Sequence, residues 1–394
     1  MERNRILGLF IVGIGLLLWT SCTKTGEQIS NTVNSVGSSG TALDNMARGV
    51  NLTNWFNDFS NPAEFSNRFG PAHFQMIKQA GFTYVRLPIG PNVIMEGGNS
   101  SVLQPTNLTH IDNAVQRITQ AGLSVMLDFH PYTRTFESRL ATDPAARNNF
   151  RLFWRNMANH FKKYDTSQVF FEIMNEPSIG ATQAVPGIDV NWWPPVQEMA
   201  INAIREATPN HYIVAGAENY NNWYTLSRLF PYKVRNIVYN FHFYDPFVFT
   251  HQGASWVGFP YDQVKQLPYP ANTGNTANIA ASASNTEIRN LINWEGRRQY
   301  NADSINLSMR VVYTWANQHK VPVICNEFGA YKPFVAEDSK IRYLRDVRNA
   351  LVKYKIGWAV WDFDEGFGLS VYPNNRRGGL PNWEPQVLGA LGMQ

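Results

Sequence analysis

Residues 321–329 have the sequence Val-Pro-Val-Ile-Cys-Asn-Glu-Phe-Gly, and residues 170–177 have the sequence Phe-Phe-Glu-Ile-Met-Asn-Glu-Pro. Each stretch is an apolar run that reaches a carboxylate, Glu327 in one and Glu176 in the other, and then meets Gly or Pro. Runs bounded in this way are typical of buried strands. Because an isolated buried carboxylate costs free energy, two of them at strand ends indicate a single acid–base pair.

Further apolar runs and helical patterns continue in alternation along the chain. Predicted strands cover 49–53, 82–87, 123–128, 169–173, 212–216, 236–241, 321–325 and 356–361. Predicted helices cover 71–80, 109–121, 146–163, 193–207, 304–319 and 338–353, with a weaker one near 222–230. This alternation predicts an α/β fold, a (β/α)8 TIM barrel forming a single domain over 46–394, with a doubly wound open sheet as the alternative. The long interruption at 245–301 predicts an elaborated loop at the functional end.

The N-terminus has the features of an export signal. In the predicted signal peptide, residues 1–21, two arginines precede the apolar run 6–19, which is short for a membrane span. The run leads to Trp-Thr-Ser-Cys, which resembles a bacterial lipoprotein signal with Trp in place of the usual Leu. We therefore expect lipidation of Cys22, with an ordinary signal peptide as the alternative. Residues 22–45, rich in Ser, Thr, Asn and Gly, predict a flexible linker. The expected location is the bacterial cell envelope, as an outer-membrane or surface lipoprotein, or outside the cell.

Composition excludes several classes of function. The net charge is only +4 and the basic residues are scattered, which argues against nucleic acid as a partner. The sequence has neither a phosphate-binding glycine loop nor the paired Cys/His spacing of a zinc site, so we expect no cofactor and no metal. Aromatic residues reach 13%, an excess that suits stacking on sugar rings, although most of them are expected in the core.

In a barrel, residues at the C-terminal ends of the strands face one mouth. Singly, each polar residue there has a structural explanation, such as a buried ion pair or core packing. Together they predict one cleft, lined by Arg86, His130, Asn175, Glu176, His242, Tyr244, Glu327 and Trp361.

From Arg48 to Phe363 the sequence resembles family 5 glycoside hydrolases, which are retaining (β/α)8 enzymes. The resemblance implies that Glu176, in Asn-Glu-Pro, is the acid/base and that Glu327 is the nucleophile. It also implies that Asn175 bonds the sugar 2-hydroxyl and that Arg86 holds Glu327. Many relatives have Gly where this chain has Asn326, which is expected to leave less room near the nucleophile.

The resemblance extends to the rest of the mouth. It implies that His130 lines the subsite of the cleaved sugar, that His242 and Tyr244 orient the two glutamates, and that Trp361 stacks beneath the sugar. Retention needs two carboxyls about 5–5.5 Å apart, one protonated and one ionised. We expect a dry pocket and the nearby negative charge to raise the pKa of Glu176, while Arg86 keeps Glu327 ionised.

The implied activity is that of an endo-β-1,4-glucanase, a cellulase, acting on a β-glucan. Trp55, Trp223 and Trp256 are expected to line an open cleft, and residues 247–256 resemble cellulase-like members. β-Mannanase, xyloglucanase and mixed-linkage β-glucanase activities are alternatives. Outside this class stand a surface glycan-binding lipoprotein and a metal-dependent hydrolase, which needs His/Asp ligands clustered at strand ends. A monomer is expected, touching a membrane only through its lipid anchor.

Overall fold

The computed structural model describes residues 40–179, 191–377 and 379–393, which lie within one compact unit. The predicted signal peptide, Cys22 and most of the predicted linker lie outside the described residues. The end of that linker was predicted wrongly, because Gly40–Asn45 form a helix. Ala42 and Met46 are buried against the first barrel strands, so the folded domain begins before residue 46.

Eight parallel strands close into a barrel in chain order, with the last strand paired to the first. The predicted (β/α)8 barrel is confirmed, each predicted strand overlaps an observed one, and the open-sheet alternative is wrong. The strands are β1 Arg48–Asn51, β2 Tyr84–Ile89, β3 Ser124–Phe129, β4 Val169–Glu172, β5 Ile213–Gly216, β6 Ile237–Phe243, β7 Val323–Phe328 and β8 Gly357–Val360. A small two-stranded ribbon, β9 Ser370–Val371 and β10 Asn382–Trp383, follows the barrel.

Each predicted helical segment overlaps an observed helix, and further helices outside 245–301, the longest of them Arg134–Thr142, were not predicted. The helices are α1 Gly40–Asn45, α2 Pro71–Gln79, α3 Pro91–Ile94, α4 Pro105–Gln120, α5 Arg134–Thr142, α6 Pro144–Phe161, α7 Trp193–Ala207, α8 Glu218–Asn221, α9 Trp223–Leu226, α10 Phe247–Thr250, α11 Thr273–Ser282, α12 Thr286–Arg298, α13 Ala302–His319, α14 Glu337–Lys353 and α15 Pro385–Ala390. None of the helices in the described part of the chain is long and apolar enough to cross a bilayer.

The interruption at 245–301 is only partly a loop. Asn272 and Asn285 each accept hydrogen bonds from the first backbone N–H groups of a following helix, and so begin α11 and α12. These two helices pack against each other beside the barrel. The prediction of a loop therefore holds for the first half of the segment and is wrong for the second.

Side chains alternate inward and outward along each strand, so residues two positions apart share the barrel interior. Five strands place an apolar residue near the N-terminal end of the barrel and a polar residue two positions later. The pairs are Tyr84 and Arg86, Met126 and Asp128, Phe170 and Glu172, Val238 and Asn240, and Ile324 and Asn326. An apolar layer thus closes the bottom of the barrel, and a polar layer supports the mouth.

Candidate active site

Arg86 occupies the centre of the polar layer and is fully buried. Its Nε and Nη2 donate to the two oxygens of Glu172 at 2.6 and 2.8 Å. Nη2 also lies 2.9 Å from Asp128 Oδ2, and Nη1 donates to Glu327 Oε1 at 2.5 Å. Because arginine stays ionised even when buried, one guanidinium holds three carboxylates in fixed positions. The predicted contact between Arg86 and Glu327 is present, while the bidentate bond to Glu172 was not foreseen.

Glu327 ends β7 as a buried carboxylate with two different partners. Oε1 accepts from Arg86, and Oε2 accepts from the hydroxyl of Tyr244 at 3.0 Å. Burial raises the pKa of Glu327 above its ordinary value, while the nearby imidazole of His242 and the positive charge of Arg86 act to lower it. Arg86 was expected to keep Glu327 ionised; its charge acts in that direction, but burial acts against it and has the larger effect.

A β-bulge aims Glu327 into the barrel mouth. Phe241 of β6 pairs with Cys325, but the next residue, His242, pairs with Glu327, so Asn326 is an extra residue in β7. A bulge of this kind re-aims the side chains around it. Asn326 Oδ1 accepts from Asn240 Nδ2 at 3.0 Å, deep in the polar layer. The amide of Asn326 also donates to Met126 Sδ at 3.7 Å, and the expected loss of room near Glu327 stays a prediction.

Glu176 lies opposite Glu327, with His242 between them. His242 Nδ1 is 2.7 Å from Glu176 Oε1 and 3.4 Å from Glu327 Oε2. One oxygen of each glutamate and a nitrogen of the histidine all lie within 4.8 Å of one another. Glu176 has a left-handed backbone with φ of 44°, a conformation that is uncommon for non-glycine residues and is enriched at functional sites. The two carboxyls predicted from strand ends are thus brought together.

Burial shifts the pKa values of Glu176 and His242 and so determines their protonation states. Burial raises the pKa of Glu176 to about 7, even though its side chain keeps 30% exposure. Burial lowers the pKa of His242 to about 4, so its imidazole is neutral near pH 7. The predicted direction for Glu176 agrees with the structure, and the cause is chiefly desolvation.

An imidazole and two carboxylates at this spacing are also donors that a metal ion binds. From the sequence, only His130 and His242 were expected as possible metal ligands at the strand ends, and the two glutamates were not. Within the described residues, Glu176, His242 and Glu327 form such a group. Metal dependence must therefore be tested directly.

Asn175 completes the floor on the Glu176 side. Its Oδ1 accepts from Arg86 Nη2 at 2.9 Å, and its backbone N–H donates to Phe129 O at 2.8 Å. The side chain is buried at the barrel mouth, directly before the left-handed Glu176. The same guanidinium therefore fixes Asn175 and Glu327.

A row of rings leads away from the glutamates on the side of β8, β1 and β3. Trp361 stacks on His130 with centroids 5.6 Å apart, and His130 lies 4.6 Å from Tyr132. Tyr132 in turn meets the edge of Phe59 at 5.1 Å, and Phe59 is 73% exposed. His130 Nδ1 lies 2.6 Å from Asp128 Oδ2, which fixes its ring plane. Sequence analysis missed Tyr132 and Phe59, although Tyr132 follows two residues after His130.

The three tryptophans that were predicted to line the cleft differ in how exposed they are. Trp256 is 59% exposed and packs on Tyr331 with centroids 4.7 Å apart. Its ring also approaches that of Phe367, which packs against Tyr244 of the site. Trp223 is half-buried, and its Nε1 donates to Asp245 Oδ2 at 2.9 Å. Trp55 was predicted wrongly as a binding residue.

Trp55 is only 1% exposed and belongs to the core. Its ring stacks on Phe56 at 4.7 Å and meets Phe69 at 5.2 Å, and its Nε1 donates to Phe65 O at 3.1 Å. Three phenylalanines of the loop after β1 thus enclose it. In the same loop Phe59 is exposed.

Comparisons with known proteins identify the family of the chain. Residues 36–366 match the family model described as Cellulase (glycosyl hydrolase family 5). Endoglucanase C of Acetivibrio thermocellus is 26% identical over 84% of this chain and 94% of its own length. Endoglucanase 3 of Fibrobacter succinogenes is 24% identical over 83% of this chain. The match covers 51% of that relative, so this chain spans about half its length.

Solved structures share the architecture. One, described as an endoglucanase, has a TM-score of 0.69 and 26% identity, and the match covers 89% of this chain and 99% of the other. Thermotoga maritima Cel5A in complex with cellobiose has a TM-score of 0.70 at 22% identity over 89% of this chain and 98% of the other, a likeness of fold. The family match includes all eight strands and the whole polar mouth from Arg86 to Trp361. The chain is therefore a glycosyl hydrolase and belongs to family 5.

Proposed function

We propose that this hydrolase is an endo-β-1,4-glucanase that cleaves glucan with retention, using Glu327 as nucleophile and Glu176 as acid/base. The observation that carries the proposal is the approach of their oxygens within 4.8 Å, with His242 between them. Inverting enzymes keep their carboxyls about 6.5–9.5 Å apart so that a water fits between the second one and the sugar. The spacing here favours direct attack by a carboxylate.

In the first step, Glu327 attacks the anomeric carbon while Glu176 gives its proton to the departing glycosidic oxygen. The bond to the leaving sugar breaks and an ester to Glu327 forms. Arg86 and Tyr244 each bond one oxygen of Glu327, so the carboxylate is oriented before attack. Glu176, with its pKa raised to about 7, carries the needed proton in mildly acidic solution.

In the second step, Glu176 takes a proton from water, and the resulting hydroxide attacks the anomeric carbon and releases Glu327. The negative charges of the two glutamates raise each other's pKa, as the effect of Glu176 on Glu327 shows. Esterification removes the charge of Glu327, so the pKa of Glu176 falls when it must act as a base. His242, neutral and in contact with both, keeps them in register through the exchange.

Sugar units on the non-reducing side of the cleaved bond are assigned to the row of rings. Trp361 and His130 form the floor nearest the glutamates, and Tyr132 and Phe59 continue it outward. Apolar faces of β-linked glucose suit stacking on such rings. Asn175 is assigned to bond the 2-hydroxyl, a contact that should strengthen in the transition state, and its bond from Arg86 supports this role by fixing the amide.

Glucan as the substrate is supported by the two relatives named as endoglucanases. The test is a screen of the purified protein on carboxymethylcellulose, lichenan, xyloglucan, glucomannan and galactomannan. We expect the highest kcat/KM on a β-1,4-glucan, a fall in viscosity ahead of reducing sugar, and the β-anomer first in the NMR spectrum of the product. Preference for galactomannan would overturn the glucan assignment, and the α-anomer would overturn retention. Full activity in excess chelator is expected. Loss of activity would indicate that Glu176, His242 and Glu327 bind an essential metal ion.

We further propose that the enzyme acts outside the cytoplasm and is held at a membrane by a lipid attached to Cys22. The support is the apolar N-terminal run followed by Trp-Thr-Ser-Cys and a polar stretch. Labelling with palmitate is expected for the full chain and not for Cys22→Ala. Equal labelling of both would refute the anchor.

A further inference from the structure

The turn after β5 has an unusual backbone. Asn219, Tyr220 and Asn221 have φ values of 61°, 62° and 49°, three successive left-handed residues without a glycine. This conformation crowds the Cβ of an L-residue, most of all at Tyr220, because asparagine tolerates it better. Strained backbone of this type persists where surrounding structure fixes it, and it concentrates at functional sites.

Neighbouring contacts hold this turn in place. Asn221 is fully buried, and its Oδ1 lies so close to Gly216 that a Cβ there would come within 2.6 Å. Asn222 Oδ1 accepts from Tyr224 N at 2.9 Å and so begins α9. The backbone of Asn222 also forms a parallel bridge with His242. The turn is therefore anchored directly beside the histidine that contacts both glutamates.

The turn presents the ring of Tyr220 to solvent, with 40% of the residue exposed. The guanidinium of Arg134, from the start of α5, lies 5.1 Å from the centre of that ring. Arg134 Nη2 also donates to the hydroxyl of Tyr220. The charge of Arg134 lowers the pKa of Glu176, so the pair lies within electrostatic reach of the acid/base.

Barrel order places Tyr220 across the mouth from Trp361 and Phe59, while Arg134 reaches Tyr220 from the loop after β3, two residues beyond Tyr132. Trp361 and Phe59 follow β8 and β1, which are neighbours, whereas Tyr220 follows β5, four strands from β1 in a closed ring of eight. Glu176, after β4, lies on the same side as Tyr220. For a chain that rests on Trp361 and is cleaved beside Glu176, the leaving-group sugar is expected on the β4–β5 side of the mouth, where Tyr220 lies.

We propose that Tyr220 and Arg134 form a binding site for the leaving-group sugar, a glucosyl unit on the reducing-end side of the cleaved bond. The inference deepens the proposed function and rests on it. Tyr220 offers an apolar face for the sugar ring, and Arg134 offers N–H donors for its hydroxyls. The strained turn fixes the ring in place before binding, which lowers the entropy lost when substrate arrives. The same site receives the acceptor when a sugar, in place of water, attacks the glycosyl-enzyme.

The test compares Tyr220→Ala and Arg134→Ala with Tyr224→Ala, which removes the ring of a second exposed tyrosine–arginine pair, Tyr224 with Arg228. On cellopentaose, the Tyr220 and Arg134 variants are expected to lose about tenfold in kcat/KM, equivalent to one stacking contact. On 2,4-dinitrophenyl cellobioside, whose leaving group is no sugar, they are expected to change less than twofold. Added cellobiose should speed turnover of this aryl substrate in wild type and in Tyr224→Ala, but not in the other two.

Arg134→Ala is also expected to move the alkaline limb of kcat/KM to higher pH, since its charge lowers the pKa of Glu176. Equal losses on both substrates, or acceptor acceleration retained in Tyr220→Ala, would overturn the leaving-group site while leaving the glucanase proposal intact. A wild type inactive on every β-1,4-glucan would overturn the glucanase proposal and this site with it.

Discussion

Replacing Glu176 by Gln tests the central assignment, because the structure gives a number to work from. Burial raises the pKa of Glu176 from 4.5 to about 7. At pH 6 a carboxyl with a pKa of 7 is about 90% protonated, while one with a pKa of 4.5 is about 3% protonated. The pocket therefore increases the fraction of enzyme carrying the catalytic proton about 30-fold at that pH. In wild type, kcat/KM on glucan should fall as pH rises through about 7, because the acid is then lost.

In Glu176→Gln the loss should depend on the leaving group. A sugar alcohol needs a proton as it departs, so kcat/KM on cellopentaose is expected to fall about 10²–10⁴-fold. Dinitrophenolate needs none, so formation of the glycosyl-enzyme from 2,4-dinitrophenyl cellobioside should remain near the wild-type rate, and its alkaline limb should disappear. Hydrolysis of the intermediate then becomes slow, because water has lost its base, and a burst of dinitrophenol is expected. Azide, a nucleophile that needs no base, should restore turnover.

Stability supplies the control for this variant. A raised folded-state pKa means that Glu176 destabilises the fold as pH rises from its unfolded value toward 7. Gln is neutral throughout, so the variant should match wild type in urea unfolding at pH 4 and equal or exceed it at pH 8. Equal rate losses on cellopentaose and the aryl glycoside, with no burst and no azide rescue, would refute the acid/base role.

Three other substitutions test separate parts of the site. Glu327→Ala should abolish turnover of both substrates while urea unfolding shows an intact fold, and wild-type turnover would remove Glu327 from the mechanism. Phe59→Ala should reduce kcat/KM on cellopentaose about tenfold but spare cellotriose, whereas Phe230→Ala, which removes a ring 85% exposed, should affect neither. Glu172→Gln should lower stability by about 3–5 kcal/mol in urea, since it breaks a buried bidentate ion pair. It should also move the alkaline limb to lower pH, because the charge of Glu172 raises the pKa of Glu176.

The barrel and the meeting of two glutamates at its mouth were predictable because local patterns encode them. Buried parallel strands are nearly continuous apolar runs, and a charged residue at the end of such a run is conspicuous. Glu176 and Glu327 stood out for that reason, and parallel strand order then brought them to one mouth. His242, near the end of β6, followed by the same logic, whereas Arg86 lies within β2 and supports the mouth from the buried layer beneath it.

What escaped prediction depends on tertiary contacts without a local pattern. Trp55 and Phe59 lie in one aromatic loop, and nothing in their spacing shows that the first is enclosed and the second exposed. In the sequence, nothing distinguishes Glu172 from other acidic residues in or near strands. Its role as an ion-pair partner depends on Arg86, which contacts it across the barrel interior. The helices after Asn272 and Asn285 were missed because a polar, glycine-containing segment conceals two capping residues.

The bulge in β7 connects these two kinds of information. A regular strand would turn Asn326 and Glu327 to opposite faces, so only one of them could reach the barrel interior. With the extra residue opposite β6, Asn326 bonds Asn240 in the polar layer while the next side chain, Glu327, meets Arg86 and Tyr244 at the mouth. The carboxylate is thus raised above the polar layer and remains bonded to it through Arg86. A residue with no polar side chain at position 326 would leave Asn240 without this hydrogen-bond acceptor in the buried polar layer. Asn326 therefore helps to stabilise the layer that supports Glu327.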